Sequence, residues 1–192
     1  MKRGATKEEI IRATQRLIAR NGIRAVRVDE IAQTLGISKR TLYELFADKD
    51  DLVVACLDAM RQQQRQRLRA FRRRSGCVLT KTFYLLNEYI DGLYVVERSF
   101  LSEIRQKGVF VEQFVEHSSF WHNEMTAMLE LCRTEGLLFT ELDSVVYAKR
   151  LIATLLELRS SGISREELHL FGRVFLRGVA TRLGIETIDR IR

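Results

Sequence analysis

The sequence predicts an all-α protein, and three observations support this fold class. Proline, which interrupts helices, is absent from all 192 residues. Apolar residues recur at spacings of three and four along most of the chain, which is the period of an α-helix. Glycine and short polar residues stand where these periodic runs begin and end. The pattern predicts three helices at the amino terminus followed by a larger helical region.

The first helix is predicted to begin after Thr6. The Thr-x-x-Glu spacing from Thr6 to Glu9 is a capping box, in which each side chain accepts a hydrogen bond from the backbone of the other. We expect this helix to end at Asn21-Gly22, because glycine commonly terminates helices.

A tight corner is predicted between the second and third helices. The second helix covers about residues 28–35 and ends at Gly36, since glycine readily takes the left-handed backbone conformation of such a corner. Ser38 is expected to cap a third helix of about two turns. Four apolar residues should seat this helix on its neighbours: Ile37, Leu42, Leu45 and Phe46.

The remaining helices are longer. Asp48 is expected to cap a fourth helix over residues 49–74, and a second capping box, from Ser164 to Glu167, opens the last one. The predicted ranges of the five later helices are 78–97, 99–107, 109–135, 142–160 and 164–183.

Positive charge is concentrated in the first third of the chain. Residues 1–50 contain eleven Lys and Arg against seven Asp and Glu, residues 51–76 seven against two, and residues 77–192 fourteen against sixteen. The formal net charge of +7 therefore comes from the amino-terminal part. A basic region of this kind is typical of a surface that binds nucleic acid.

The segment LGISKRTLYELF, residues 35–46, combines the glycine corner with a polar outward face. Two helices joined by such a corner form a helix-turn-helix, whose second helix can enter the DNA major groove with its amino end first. The sequence therefore predicts a helix-turn-helix DNA-binding domain over residues 1–50, followed by a larger helical domain over residues 51–192.

The string GIRAVRVDEIAQTLGISKRTLYELFADKDDL, residues 22–52, resembles the TetR family of bacterial transcriptional regulators. It carries that family's Ile-Ala pair, Leu-Gly-Ile-Ser turn, Thr-Leu-Tyr triplet, phenylalanine and helix-opening lysine in order. The string spans 31 of the 192 residues. The resemblance implies a dimer that binds a palindromic double-stranded DNA operator and is released from it by a small molecule. It also implies that residues 51–192 are the effector-binding and dimerisation domain.

Two positions depart from the family pattern. Arg27 stands where the family usually has a capping Ser or Thr, and could reach a phosphate instead. Arg40 stands where many relatives have a small residue, and could read guanine with two hydrogen bonds or only add charge. With base-edge and phosphate roles carried over from the resemblance, the predicted DNA-binding residues are Arg27, Ser38, Lys39, Arg40, Thr41, Tyr43 and Lys49.

The last two predicted helices, 142–160 and 164–183, carry apolar residues on more than one face. Each therefore has apolar surface for its own core and more for a partner. The resemblance likewise implies a homodimer held by these two helices from each subunit as a four-helix bundle. The alternative is that both helices are fully buried within a monomer.

Aromatic side chains are frequent between these two regions. The predicted effector-binding residues are Phe83, Tyr89, Phe114, His117, Trp121 and Met125. Most side chains of this kind form ordinary core. His117 could orient an effector by hydrogen bonding or be a core histidine whose hydrogen bonds are satisfied internally.

Metal-dependent and catalytic functions have no support in the sequence. His117 and His122 are five residues apart, about 140° around a helix, and no HExxH motif or Cys/His cluster is present. Motifs for a nucleophile or a phosphate-binding loop are also absent. We therefore predict no enzyme, no metal and no cofactor.

Cysteine usage and hydropathy indicate a reduced, cytoplasmic setting. The three cysteines lie far apart in the sequence, in no CxxC pair, and no apolar run is long enough for a membrane span or signal peptide. Two alternatives to a ligand-responsive repressor stay open. One is a regulator that senses oxidation through Cys77 or Cys132, and the other is an effector-independent DNA-binding protein or activator.

Overall fold

A computed structural model describes residues 5–73, 75–104 and 108–190, and the all-α prediction is confirmed. Over these residues the chain forms helices and no strand; one isolated antiparallel bridge joins Leu138 to Ala180. The helices are α1 Lys7–Ala25, α2 Val28–Leu35, α3 Lys39–Tyr43, α4 Lys49–Arg72, α5 Val78–Tyr94, α6 Arg98–Ile104, α7 Gly108–Thr134, α8 Ser144–Ser161, α9 Arg165–Arg177 and α10 Arg182–Arg190.

The chain divides into two compact units. The first contains residues up to Gln66 together with Val95–Phe114, and the second contains Arg67–Tyr94 and Val115–Arg192. Helices α4 and α7 each have residues in both units. The division of function between residues 1–50 and 51–192 stays a prediction.

Helix α1 opens the first unit with the predicted capping box. The backbone nitrogen of Thr6 donates to Glu9 Oε2 at 2.8 Å, and the backbone nitrogen of Glu9 donates to Thr6 Oγ1 at 3.2 Å. The helix kinks at Gly22, where φ is 76°, and adds one more turn before it ends at Ala25. The predicted stop at Asn21-Gly22 is therefore a kink, because the chain resumes helical geometry beyond the glycine.

The core of the first unit combines helices that are close in sequence with a segment that is distant. Leu42 and Phe46 are almost completely buried, as is Ile10. Phe100 and Phe110 belong to the same cluster, with ring centroids 5.5 Å apart and steeply inclined planes. The segment Val95–Phe114 thus completes the hydrophobic core of the amino-terminal unit, which the sequence did not predict.

The second unit is built around α5, which packs on α8, α9 and α10. Its core contains Tyr89, Trp121, Met125 and Leu155 among other buried residues. Tyr147 on α8 stacks on Phe175 of α9, with ring centroids 5.0 Å apart, and its hydroxyl donates to the Phe175 carbonyl. Helices α8 and α9 therefore run side by side as an antiparallel pair joined by the turn at Gly162.

The prediction of one last helix over residues 164–183 is wrong. Helix α9 ends at Arg177, and the chain then pairs with the segment that follows α7: Phe139 N donates to Val179 O at 3.0 Å, and Thr181 N donates to Leu137 O at 3.1 Å. Thr181 Oγ1 accepts from Gly184 N at 3.2 Å and so caps a further helix, α10. This pairing with a distant segment outweighs the helical period of the sequence.

Smaller differences concern helix ends. Helix α3 has five residues rather than two full turns, α5 ends at Tyr94 rather than at residue 97, and α8 begins at Ser144 with Asp143 as its cap. Residue 74, where the fourth helix was predicted to end, lies outside the described residues, as do residues 105–107 at the predicted end of the sixth.

Candidate functional site

The corner between α2 and α3 has the predicted geometry. Gly36 is left-handed, with φ 63° and ψ 30°, and the backbone nitrogen of Ile37 donates to Ala32 O at 3.0 Å. Ser38 then caps α3 by accepting a hydrogen bond from Thr41 N at 3.1 Å, and the two hydroxyl oxygens lie 3.0 Å apart. The Ser38 and Thr41 hydroxyls therefore first serve to begin the helix.

Helix α3 is held by a small number of apolar contacts. Leu42 is fully buried and Phe46 nearly so, whereas the side chain of Leu45 is 38% exposed. The prediction that Leu45 seats the helix is wrong, because α3 ends at Tyr43 and Leu45 lies in the following turn. With its inner side fixed by Leu42, α3 exposes Lys39, Arg40 and Tyr43 to solvent.

The outward face of α3 is cationic, but its charges are paired. Lys39 Nζ lies 2.5 Å from Asp29 Oδ1 on α2, and Arg40 Nε lies 3.0 Å from Glu44 Oε1. All four side chains are mostly exposed, so each pair contributes between about 0 and 1 kcal/mol to stability. Pairs this weak can be exchanged for contacts with an incoming phosphate or base at little energetic cost.

Three further predicted residues flank this face. Tyr43 follows Arg40 by three residues and is 49% exposed. Arg27 stands at the cap position of α2 and makes no capping hydrogen bond with its side chain. Lys49 is the first residue of α4, and its Nζ donates to the Arg24 carbonyl at 3.4 Å. Lys49 thus lies at the positive end of a helix dipole, which favours an anion.

The aromatic residues of the second unit form a buried cluster. Tyr89 and Trp121 meet edge to face, with ring centroids 5.1 Å apart, and Trp121 Nε1 donates to His117 Nε2 at 3.1 Å. The Tyr89 hydroxyl donates to the Ile152 carbonyl at 3.2 Å. Burial raises the pKa of Tyr89, so the phenol stays protonated. Since an indole N–H can only donate, His117 Nε2 carries no proton in this arrangement.

The structure brings together four of the six predicted effector residues in one core and leaves a fifth beside it. Phe83, Tyr89, Trp121 and Met125 all belong to the hydrophobic core of the second unit, and His117 bonds to Trp121. Phe114 belongs to the first compact unit. The polar atoms of Tyr89 and Trp121 are bonded within the protein, so an effector at this cluster would replace internal hydrogen bonds.

A family comparison identifies the amino-terminal domain. Residues 10–56 match the family model described as bacterial regulatory proteins, tetR family. This range contains the α2–α3 corner and the first turns of α4. Residues 10–56 therefore form a TetR-family amino-terminal domain. None of the curated proteins compared with it matches in sequence.

Solved structures of TetR-family and other regulators resemble the chain over more than 90% of its length. A proposed transcriptional regulator from Saccharomonospora viridis, in complex with choline, has a TM-score of 0.79 at 18% identity and covers 92% of this chain and 98% of its own. A TetR regulator from Haloarcula marismortui has a TM-score of 0.73 at 19% identity, covering 91% and 98%. FadR from Bacillus subtilis, in complex with stearoyl-CoA, has a TM-score of 0.67 at 17% identity, covering 91% and 100%. Likeness at these identities shows the shared fold.

The candidate DNA interface contains two residues that the sequence analysis did not single out. Asp29 and Glu44 pair with the two cations of α3 and so limit the positions of their side chains. The spacing of four from Arg40 to Glu44 is a signal that could have identified the second pair. The Lys39–Asp29 pair has no such signal, because it depends on how α2 and α3 cross.

The described ranges contain neither a candidate metal site nor a candidate membrane-spanning helix. No group of three His, Cys, Asp or Glu side chains lies close enough to hold a metal ion within those ranges. Among the same residues, no helix combines the length and low charge that crossing a bilayer requires.

Proposed function

We propose that this TetR-family regulator is a homodimeric repressor released from a palindromic operator by a small molecule, acting in the cytoplasm by binding rather than catalysis. The observation that carries the proposal is the short α3, anchored by buried Leu42 and presenting Lys39, Arg40 and Tyr43 outward. One such helix reads few base pairs, so two copies would bind half-sites about 34–36 Å apart.

The DNA contacts follow from position on the helix. Lys39, Arg40 and Thr41 occupy the amino-terminal turn of α3, the part that reaches base edges in a helix-turn-helix. We assign Tyr43 to a phosphate or base contact. We assign Lys49 and Arg27 to phosphates, since both stand at helix amino ends. Ser38 holds the turn that presents them.

The proposed dimer surface lies on α8 and α9. Val145 and Val146 on α8 and Leu170 and Val174 on α9 are all more than half exposed. Because α8 and α9 are antiparallel and Tyr147 stacks on Phe175, Val174 lies beside the amino-terminal end of α8. An exposed apolar surface spread over two adjacent helices favours burial against a second copy.

The proposed effector site is the aromatic cluster of the second unit, with Tyr89, Trp121 and His117 as its polar residues. Relatives of the same fold were solved with choline and with stearoyl-CoA, so this fold accommodates ligands of very different size. An effector that binds the operator-released form more tightly would shift the dimer toward it. A coupling of about 1–3 kcal/mol, or 5–150-fold in operator affinity, would be ordinary.

Redox sensing has less support from the described residues. Cys132 is buried, and burial raises the pKa of its thiol to about 11, although Thr82 lies 3.2 Å away and acts in the opposite direction. A buried, protonated thiol reacts slowly with oxidants. Cys77 is exposed. If Cys77 is the sensor, peroxide should abolish operator binding by the wild type but not by Cys77→Ser. Loss of binding in both proteins would show that Cys77 is not the sensor.

The proposal is tested by selecting bound duplexes from a random DNA pool and then screening small molecules for release. We expect a palindromic sequence with two half-sites about one helical turn apart. Recovery of unrelated, non-palindromic sequences would contradict the dimeric repressor. An operator affinity that no compound changes would instead favour the effector-independent alternative.

The dimer is tested separately by sedimentation. Leu170→Glu with Val174→Glu places two charges on the proposed interface and should give monomers at micromolar concentration. Leu131→Glu is the matched control, because Leu131 is also exposed, at 45%, but lies on α7. A dimer that survives the double substitution, or a control that dissociates equally, would contradict this surface.

A further inference from the structure

Helix α1 carries a line of arginines that no predicted function explains. Arg12, Arg16 and Arg20 are four residues apart and exposed. At about 100° per residue they follow one side of the helix, away from the side that buries Ile10 and Leu17. Their Cα atoms span eight residues, or about 12 Å along the helix axis. We name Arg12, Arg16 and Arg20 the α1 arginine stripe.

The charge of the stripe is not neutralised within the described part of the chain. No described residue forms an ion pair or hydrogen bond with Arg12, Arg16 or Arg20. Lys39 and Arg40 on α3, by contrast, each have a carboxylate partner. The carboxylate of Glu9, one turn before the stripe, is bound to the Thr6 backbone by the capping box. The stripe therefore keeps its positive charge available for an external anion.

The stripe lies in the same compact unit as α3. Near the amino end of α1, Lys7 Nζ lies 5.0 Å from the centre of the ring of Phe46, which is in the segment that follows α3. Near its carboxyl end, the Arg24 carbonyl accepts the hydrogen bond from Lys49 at the start of α4. One end of α1 therefore contacts the segment that joins α3 to α4, and the other end contacts Lys49, one of the candidate DNA-binding residues.

We propose that the α1 arginine stripe binds the phosphate backbone of the operator duplex beside the half-site read by α3. The inference rests on the proposed operator binding and adds a second, sequence-independent contact surface to it. Duplex DNA carries one charge per about 1.7 Å of axis, so 12 Å of duplex offers about seven phosphates to three guanidinium groups. Guanidinium groups bind phosphate oxygens with paired hydrogen bonds.

The test is the salt dependence of operator binding by Arg16→Gln with Arg20→Gln. Each arginine–phosphate ion pair that is removed should reduce the steepness of log affinity against log salt by about 0.9. A substitution removes one such pair from each subunit of the dimer. Per ion pair removed, the fall in affinity between 50 and 200 mM salt should become smaller by about 3.5-fold. Affinity for operator and for random duplex should fall by the same factor, because phosphate contacts carry no sequence information.

Two comparison variants separate charge in the stripe from other effects. Arg182→Gln with Arg190→Gln removes two exposed cations from α10 in the other unit and should leave the slope unchanged. Arg16→Lys with Arg20→Lys keeps the charges and should retain most of the slope. Circular dichroism and thermal melting of every variant should match the wild type, because both stripe positions are exposed.

Three outcomes would overturn the stripe as a phosphate contact. These are an unchanged slope in the stripe variant, an equal change in the α10 control, and a weakening confined to the operator sequence. The last result would indicate base reading. Binding of the wild type to no duplex at all would instead overturn the proposed repressor function itself, so the two failures are distinguishable.

Discussion

The two regions with proposed functions, α3 and the aromatic cluster, differ in how their polar groups are bonded. On α3, the polar groups are exposed and bonded to neighbours in weak surface pairs, such as Lys39 with Asp29. In the aromatic cluster, the polar groups are buried and bonded internally, such as Trp121 with His117. A polymer as highly charged as DNA can displace weak surface pairs, whereas a small effector must compete with buried bonds.

Because of this difference, substitutions in the two regions should affect different properties of the protein. A side chain on the face of α3 contributes little to folding, so its removal should appear mainly in DNA affinity. A side chain in the aromatic cluster contributes mainly to folding, so its removal should appear in stability before any effect on a ligand. Measuring both the free energy of unfolding and the DNA affinity of each variant distinguishes the two cases.

The largest effect is expected for Trp121→Ala. Trp121 is fully buried and contacts Tyr89 and His117, so its truncation leaves a cavity and removes a hydrogen bond. We expect a decrease of about 3–5 kcal/mol in the free energy of unfolding, measured with urea. Trp121→Phe fills more of the space and should be less destabilised. A near-normal unfolding free energy for the alanine variant would mean that the cluster is not a packed core.

An intermediate effect is expected for Gly36→Ala. The space around Gly36 is open, so the cost comes from the left-handed backbone, about 1–2 kcal/mol. DNA affinity should fall because the corner presents α3. Trp121 is the chain's one tryptophan and lies in the second unit, so its fluorescence reports that unit alone. A native emission spectrum with weakened DNA binding is expected, and a shifted spectrum would contradict a local effect.

A smaller effect is expected from the two helix caps in the first unit. Ser38→Ala removes the bond to Thr41 N and should lower the unfolding free energy by about 1 kcal/mol. Arg27→Ser should raise the unfolding free energy, because Arg27 makes no capping bond and serine can make one. The serine variant should be more stable and yet bind DNA more weakly, if Arg27 contacts a phosphate. Greater stability with unchanged affinity would remove Arg27 from the interface.

A second difference, between contacts that are local in sequence and contacts between distant residues, explains what the sequence could predict. The Thr6 and Ser164 capping boxes, the Gly36 corner and the Ser38 cap depend on residues within five positions of one another, and all are confirmed. The break between α9 and α10 depends on Leu137 pairing with Thr181, a contact between residues far apart in sequence. No helical period can reveal a contact of that kind.

The predictions for the candidate site follow the same difference between local and distant contacts. The outward direction of Lys39, Arg40 and Tyr43 follows from a local turn and was predicted. The partner of Lys39, Asp29, depends on how two helices cross, and was not. Phe114 was grouped with Trp121 because the two are seven residues apart on one helix. The chain passes from one compact unit to the other between Phe114 and Val115, which periodicity cannot detect.

The smallest effect is expected at Asp91, which links α5 to α9 in the second unit. Asp91 Oδ1 lies 2.8 Å from Arg165 Nε and 2.7 Å from His169 Nε2. Partial burial alone would raise the pKa of Asp91, but the hydrogen bonds from Arg165 and His169 outweigh it, and the pKa is lowered. A carboxylate whose pKa is lowered by folding stabilises the folded state above its unfolded pKa of about 3.9. That contribution disappears as the pH falls through the lower, folded pKa.

Asp91→Asn should therefore reduce the free energy of unfolding at pH 7 by less than about 1 kcal/mol, because the pair is partly exposed. The difference from the wild type should shrink as the pH falls below about 4, where the wild-type carboxylate takes up a proton in the unfolded state. Glu186→Gln is the control, since its pair with Arg182 is more exposed and lies within one helix. A difference that stays constant down to pH 3 would show that Asp91 acts through packing. The contribution of Asp91 to stability would then come from its shape rather than from its charge.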